Sequence, residues 1–139
     1  MHTVQTQQLD LLPARHREDD ANVVRAAWPL HRGTGSRSTA AVYFELDRGM
    51  RLGRHTDSAE EVLVVLTGEV DVIVGDERRR LQAGGMAVVP AEAPHDVIGA
   101  GDDTARVTGV FPSSTIVSVF DDTWLPYGTR VLGTPPPAA

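Results

Sequence analysis

His55 and His95 are the two residues of this chain best equipped for chemistry. Each stands beside a run that reads as β-strand and is framed by glycines, carboxylates and a proline. The first frame holds Gly49, His55, Asp57, Glu61 and Gly68; the second holds Gly84, Pro90, Glu92 and His95. Two imidazoles and two carboxylates make a complete ligand set for one divalent cation. In a strand, residues i, i+2 and i+4 face one side. His55 and Asp57 can therefore enter one cavity, and Glu61 keeps their parity while Glu60 turns outward. His95 opens a later strand and would close the set from across a barrel. A bare carboxylate pair in an apolar interior is costly to ionise. A divalent ion removes that cost, and Asp57 and Glu61 balance its charge.

Mixed nitrogen and oxygen donors suit Fe(II), Mn(II), Zn(II), Ni(II) or Cu(II). Four protein ligands on an octahedral ion leave two positions for water, substrate or O₂. If Glu61 swings away, His55, Asp57 and His95 form the two-histidine, one-carboxylate facial triad of non-haem iron oxygenases.

The elements that must position these residues are legible in the composition. A length of 139 residues sets one domain. Aromatics are only 5% of the chain, so its core must be built from Val, Leu, Ile and Ala, of which the β-branched members favour sheet. Thirteen glycines and nine prolines interrupt the chain too often for long helices. The formal charge of −6 argues against a nucleic-acid partner or an anionic membrane surface. Every non-histidine basic residue is arginine, so no lysine is present for Schiff-base chemistry. The absence of cysteine excludes thiol nucleophiles, disulfides and thiolate metal sites. No apolar run approaches the roughly 20 residues of a membrane helix, and a soluble, cytoplasmic protein is expected.

Short strands separated by turn residues predict an all-β sandwich or barrel. Residues 1–20 read as an irregular N-terminal arm, 21–132 as the barrel domain and 133–139 as a flexible proline-rich tail. Strands are predicted at 23–27, 40–46, 62–67, 70–75, 77–82, 86–89, 105–111 and 115–120, and in the run that opens at His95. Within 40–46, Val42, Phe44 and Leu46 share one face; Tyr43 and Glu45 share the other and are candidates to line the cavity. Trp28, Trp124 and Tyr127 are expected as core or dimer contacts, with Trp124 and Tyr127 in a looser segment. His2, His16 and His31 are expected at the surface.

The two frames resemble the cupin superfamily, whose first motif is G-x5-H-x-H-x3-4-E-x6-G and whose second is G-x5-P-x-G-x2-H-x3-N. Gly49, His55, Glu61 and Gly68 fall on the first; Gly84, Pro90 and His95 fall on the second. Asp57 replaces the second histidine, Glu92 a glycine and Gly99 the asparagine. The resemblance spans roughly residues 40–111. It implies a single double-stranded β-helix (jelly-roll-like) barrel with the metal inside, held by His55, Asp57, Glu61 and His95. It also implies a homodimer, whose partner the N-terminal arm could reach.

Glu92, just ahead of His95, is a candidate acid or base at the cavity mouth. Arg106 follows His95 by eleven residues, a spacing also seen for the co-substrate-binding arginine of 2-oxoglutarate oxygenases. The leading expectation is a metalloenzyme that chelates an oxygen-bearing small molecule, with dioxygenase, isomerase, cyclase and decarboxylase chemistry all open. The alternative is a non-catalytic small-molecule-binding or sensing barrel; a storage or structural barrel has no residue in its favour beyond the versatility of such folds.

Overall fold

A computed structural model describes residues 1–135. They form twelve strands and two short 3-10 turns: β1 (Pro13–His16), β2 (Asp19–Leu30), β3 (Ala40–Leu46), β4 (His55–Asp57), β5 (Glu61–Thr67), β6 (Glu69–Val74), β7 (Glu77–Gln82), β8 (Met86–Val89), β9 (His95–Gly99), β10 (Ala105–Phe111), β11 (Val117–Leu125) and β12 (Thr129–Gly133). Neighbours run in the order β7-β6-β9-β4-β11-β1-β2-β3-β10-β5-β8, with β12 on β11. Every pairing is antiparallel, and the sheet curls into a nearly closed barrel. Among these residues no helix is long and apolar enough to cross a membrane.

The pleat decides what fills the barrel. Along β5, Glu61, Leu63 and Val65 are buried, and along β10 Ala105, Val107, Gly109 and Phe111 are buried, with more exposed residues between them. Of these, Leu63, Val65, Ala105 and Val107 join Phe44, Leu46, Val70, Val89 and Val97 in one apolar core, while Phe111 packs with Ala40 and Ile116 in a smaller one. Gly68 turns β5 into β6 at φ 78°, where a Cβ would also stand 2.7 Å from the Ala105 Cα. That turn needs glycine on both counts. The outermost strand, β7, carries Arg78 and Arg80, which both pair with the buried Asp71 on β6. Charge on an open edge discourages further strand pairing.

Several expectations are corrected. Residues 1–20 are not wholly irregular, because Pro13–His16 is a strand between β2 and β11 and β2 starts at Asp19. Its alternation hides in polar letters: Ala14 and His16 are buried while Pro13 and Arg15 are exposed. His16 is 1% exposed, its Nε2–H donating to the Leu52 carbonyl at 3.0 Å and its ring against Trp124. His31 is also buried, its Nδ1 accepting from the Gly33 amide. The late strand continues past Phe120 to Leu125, so Trp124 is a buried strand residue. At the other end, Gly133 closes β12 and Thr134 donates its amide to the Ile116 carbonyl, so these two residues belong to the sheet rather than to a tail. Residues 136–139 of the expected tail lie outside the described residues.

Candidate metal centre

Three adjacent strands build the site. His55 and Asp57 are the ends of β4, His95 opens β9, and Ser118 and Phe120 lie on β11. Register places His55 directly beside His95 on one side and Phe120 on the other, and Asp57 beside Ser118. The rings follow: His55 stands 4.1 Å from His95 and is stacked on Phe120 at 4.4 Å, centroid to centroid. Glu61, the first residue of β5, enters from the far end of the sheet order. It is buried and Glu60 is exposed, as strand parity requires.

Hydrogen bonding settles what the two imidazoles present. His55 Nδ1 lies 2.6 Å from the Gly53 carbonyl, and His95 Nδ1 lies 2.8 Å from the Ala93 carbonyl. A carbonyl only accepts, so each Nδ1 carries the hydrogen and each Nε2 keeps a lone pair, the arrangement typical of metal-binding histidine. Asp57 Oδ2 is 3.6 Å from His55 Nε2 and 3.1 Å from His95 Nε2, and Glu61 Oε1 is 3.4 Å from His95 Nε2. Close as they are, Asp57 Oδ2 and His95 Nε2 are shut away from water with no hydrogen-bond partner. Two orphaned ligand atoms facing one point are what a cation would satisfy. His55, Asp57 and His95 form a group able to hold a metal ion; Glu61 stands at its edge.

Neighbouring groups hold this arrangement in place. The Ser118 hydroxyl donates to Asp57 Oδ1 at 2.6 Å, turning Oδ2 toward the histidines. Asp96 Oδ1 accepts from the Gly53 and Val97 amides, anchoring at Gly53 the residue whose own carbonyl orients His55. Glu61 fits because Gly109 lies behind it, where a Cβ would overlap its Oε2. Burial opposes the charge on Asp57, yet His55, His95 and Ser118 hold it well below the usual carboxylate range. Burial also opposes charging of His95, but Asp57 and Glu61 overcome it and push that imidazole up to about 10. Burial pushes Glu61 upward, the Asp57 charge adding to it and His95 offsetting part. The two carboxylates thus favour positive charge at the point that both imidazoles face.

A cavity of about 330 Å³ opens over Asp57, Glu61 and one face of His55. His95 completes the cluster from behind its wall, 1% exposed. Phe111, Phe120 and Trp124 form much of the remaining surface, and Tyr127, 55% exposed, stands at the mouth.

The other candidates fall outside. Tyr43 is buried but points away from the cavity, which its neighbour Val42 lines; its hydroxyl donates to Glu45 Oε2 at 2.6 Å. Arg106 alternates with the inward Ala105 and Val107, and its Nε is 3.9 Å from the same Glu45 oxygen. Glu45 and its partners thus occupy the opposite face of the sheet. Glu92 is exposed in the β8–β9 loop at φ 63°, its backbone amide donating to the Asp57 carbonyl. It takes the left-handed conformation that a glycine would adopt there without cost, which explains a glycine in the motif; its carboxylate does not line the cavity. Residues that sequence reasoning missed include Ser118, Phe120 and Asp96. On β11, Ser118 and Phe120 are buried between exposed neighbours, an alternation that could have pointed two of them inward, but nothing in the sequence marks them as neighbours of β4.

The cupin-domain family profile matches residues 42–111, the segment that carries all four ligand candidates. The chain belongs to the cupin superfamily. Among solved structures, the polyketide cyclase RemF from Streptomyces resistomycificus aligns with TM-score 0.64 and 17% identity over 81% of this chain and 79% of that one. A cupin 2 conserved barrel domain protein from Salinispora arenicola CNS-205 aligns with TM-score 0.60 and 19% identity, covering 80% and 86%. Oxalate oxidase in complex with glycolate aligns with TM-score 0.66 and 21% identity, covering 70% of this cupin and 55% of the oxidase. Such low identities speak for the fold alone. No curated protein matches this cupin by sequence.

Proposed function

We propose that this cupin is a metal-dependent enzyme acting on an oxygen-bearing small molecule. His55, Asp57 and His95 would hold the divalent ion, with Glu61 as a fourth ligand at the edge of the group. The observation that carries it is the pair of buried, partnerless atoms, Asp57 Oδ2 and His95 Nε2, beside the bare Nε2 of His55. When bound, the ion supplies Lewis acidity toward a chelating oxygen pair and, if redox-active, electron transfer. Ser118 keeps Asp57 oriented, and Asp96 anchors Gly53, whose carbonyl orients His55. Phe120 and Trp124 keep bulk water from the ligand atoms, which strengthens electrostatic contacts there. Glu61 Oε1, buried at the edge of the group, is the carboxylate oxygen best placed to accept a substrate proton. Neighbours such as a polyketide cyclase and an oxalate oxidase support an enzyme reading without choosing between cyclisation, isomerisation, decarboxylation and oxygenation.

Metal analysis of the purified protein tests this. Near-equimolar metal that disappears in the His55→Ala, His95→Ala double variant supports the assignment; metal retained by that variant overturns it. Metal-free protein carrying a tightly held organic molecule favours the binding or sensing alternative.

A further inference from the structure

The walls of the cavity restrict what can enter. Trp28, Phe111, Phe120, Trp124 and Tyr127 all contribute to its surface. Phe120 and Trp124 pack at 4.9 Å with planes tilted by 59°, and Trp28 and Phe111 pack at 5.7 Å with planes tilted by 36°. Such spacings let further rings stack or meet edge to face. Apart from Tyr127 at the mouth, the polar side chains of the lining are gathered at one wall, His55, Asp57, Glu61 and Ser118.

Charge is the second restriction. Among the described residues that line the cavity, none is arginine, and the chain has no lysine. Arg106 and Arg25, on strands of the same barrel, are committed to Glu45 outside it. Asp57 and Glu61 already neutralise a divalent ion, so the site offers no net positive charge to a second anion. A dicarboxylate would bring two negative charges into a largely apolar cavity with no arginine or lysine to balance them. A cavity of about 150 Å³ takes benzene, so the 330 Å³ here suits roughly two fused rings.

We infer that the substrate is an uncharged, flat aromatic molecule of about two rings, with its oxygens on one edge, rather than a small dicarboxylate such as oxalate or 2-oxoglutarate. The orientation of that oxygen edge rests on the metal reading above; the preference for the ring system does not. The aromatic pairs take the rings, and the oxygens meet the His55–Asp57–Glu61 wall.

Both tryptophans of the chain line the cavity, so intrinsic fluorescence reports its occupancy directly. The experiment titrates full-length protein, metal-stripped and Zn(II)-loaded, with 2-naphthol, 2,3-dihydroxynaphthalene, oxalate and 2-oxoglutarate, with calorimetry in parallel. Saturable one-site quenching by 2-naphthol in both forms is expected, with no response to either dicarboxylate. The dihydroxy compound is expected to gain at least about tenfold in affinity when Zn(II) is present, as bidentate chelation adds to stacking. Tyr127→Ala, an exposed change that spares the core, is expected to weaken naphthol binding by about 2- to 10-fold. Naphthol binding without the Zn(II) gain supports the cavity inference and counts against the metal site. Absence of saturable naphthol binding, or tighter binding of either dicarboxylate, overturns the inference even where metal binds stoichiometrically.

Discussion

Gly109 offers the sharpest test of how the site is held. It lies on β10 opposite Val42 and Leu63, and the Glu61 carboxylate rests against its backbone. In Gly109→Ala the new methyl would overlap Glu61 Oε2 and stand 2.9 Å from its Cδ and 3.0 Å from Val42 Cγ1. Carbon atoms pack at about 3.5–4.0 Å, so the carboxylate must withdraw by roughly 0.6–1.1 Å, while Val42 yields a few tenths. The glutamate end is flexible, so folding should lose only about 1 kcal/mol, the low end for overpacking. The ligand geometry cannot absorb as much, because productive sites hold their groups to about 0.5 Å. Changes that misorient ligands typically cost about 10- to 100-fold in metal affinity, or about 1.4–2.7 kcal/mol. Chelator competition with Zn(II) or Mn(II) measures this, run also in a Glu61→Ala background. There the clash is gone, and Gly109→Ala should change affinity by no more than about twofold. An equal loss in both backgrounds would show that the substitution acts through the β10 backbone, and the slot would have no part in the site.

Ser118→Ala removes the donor to Asp57 Oδ1; metal affinity should fall about tenfold, and unchanged affinity would mean that Asp57 needs no orienting partner. Glu92→Gly relieves the left-handed conformation at φ 63°. It should raise the melting temperature by about 2–4 °C, near 1 kcal/mol, with turnover unchanged; a loss of turnover would return Glu92 to the chemistry. The Arg80 and Arg78 guanidiniums beside Asp71 hold its carboxyl down to about 2. A depressed carboxyl contributes stability above its unfolded value near 3.9, lost as pH falls toward about 2. Asp71→Asn should therefore flatten the acid limb of a melting curve between about pH 4 and 2, and an unaltered limb would refute that linkage.

How far the chain could be read differs by scale. The β class followed from composition, and strands such as 40–46, 86–89 and 105–111 coincide with β3, β8 and β10 because their apolar residues sit between glycine, proline or aspartate turns. His55, Asp57, Glu61 and His95 come together because strand parity and motif spacing are local properties. Tyr43 and Arg106 were misplaced because parity separates the two faces of a strand without saying which face looks inward. Ser118, Asp96 and Gly109 were invisible as parts of the site, since their role comes from register between strands far apart in sequence. The buried His16 was concealed by its charged surroundings, where polarity suggested water and the fold supplied Trp124 and the Leu52 carbonyl.

β4 and β5 follow one another closely in the chain, but His95 arrives on β9 only after β6, β7 and β8, and β4 alone cannot present more than two of the donors. A growing or half-collapsed polypeptide thus lacks the full donor set, and capture of an ion by this site would wait for sheet closure. Such nitrogen and oxygen donors favour the later first-row divalents by raw affinity, so the ion such a site would gain depends also on geometry and on which metal is available where and when the strands zip together. Refolding the same polypeptide in baths of different metals would then yield proteins identical in shape and different in chemistry.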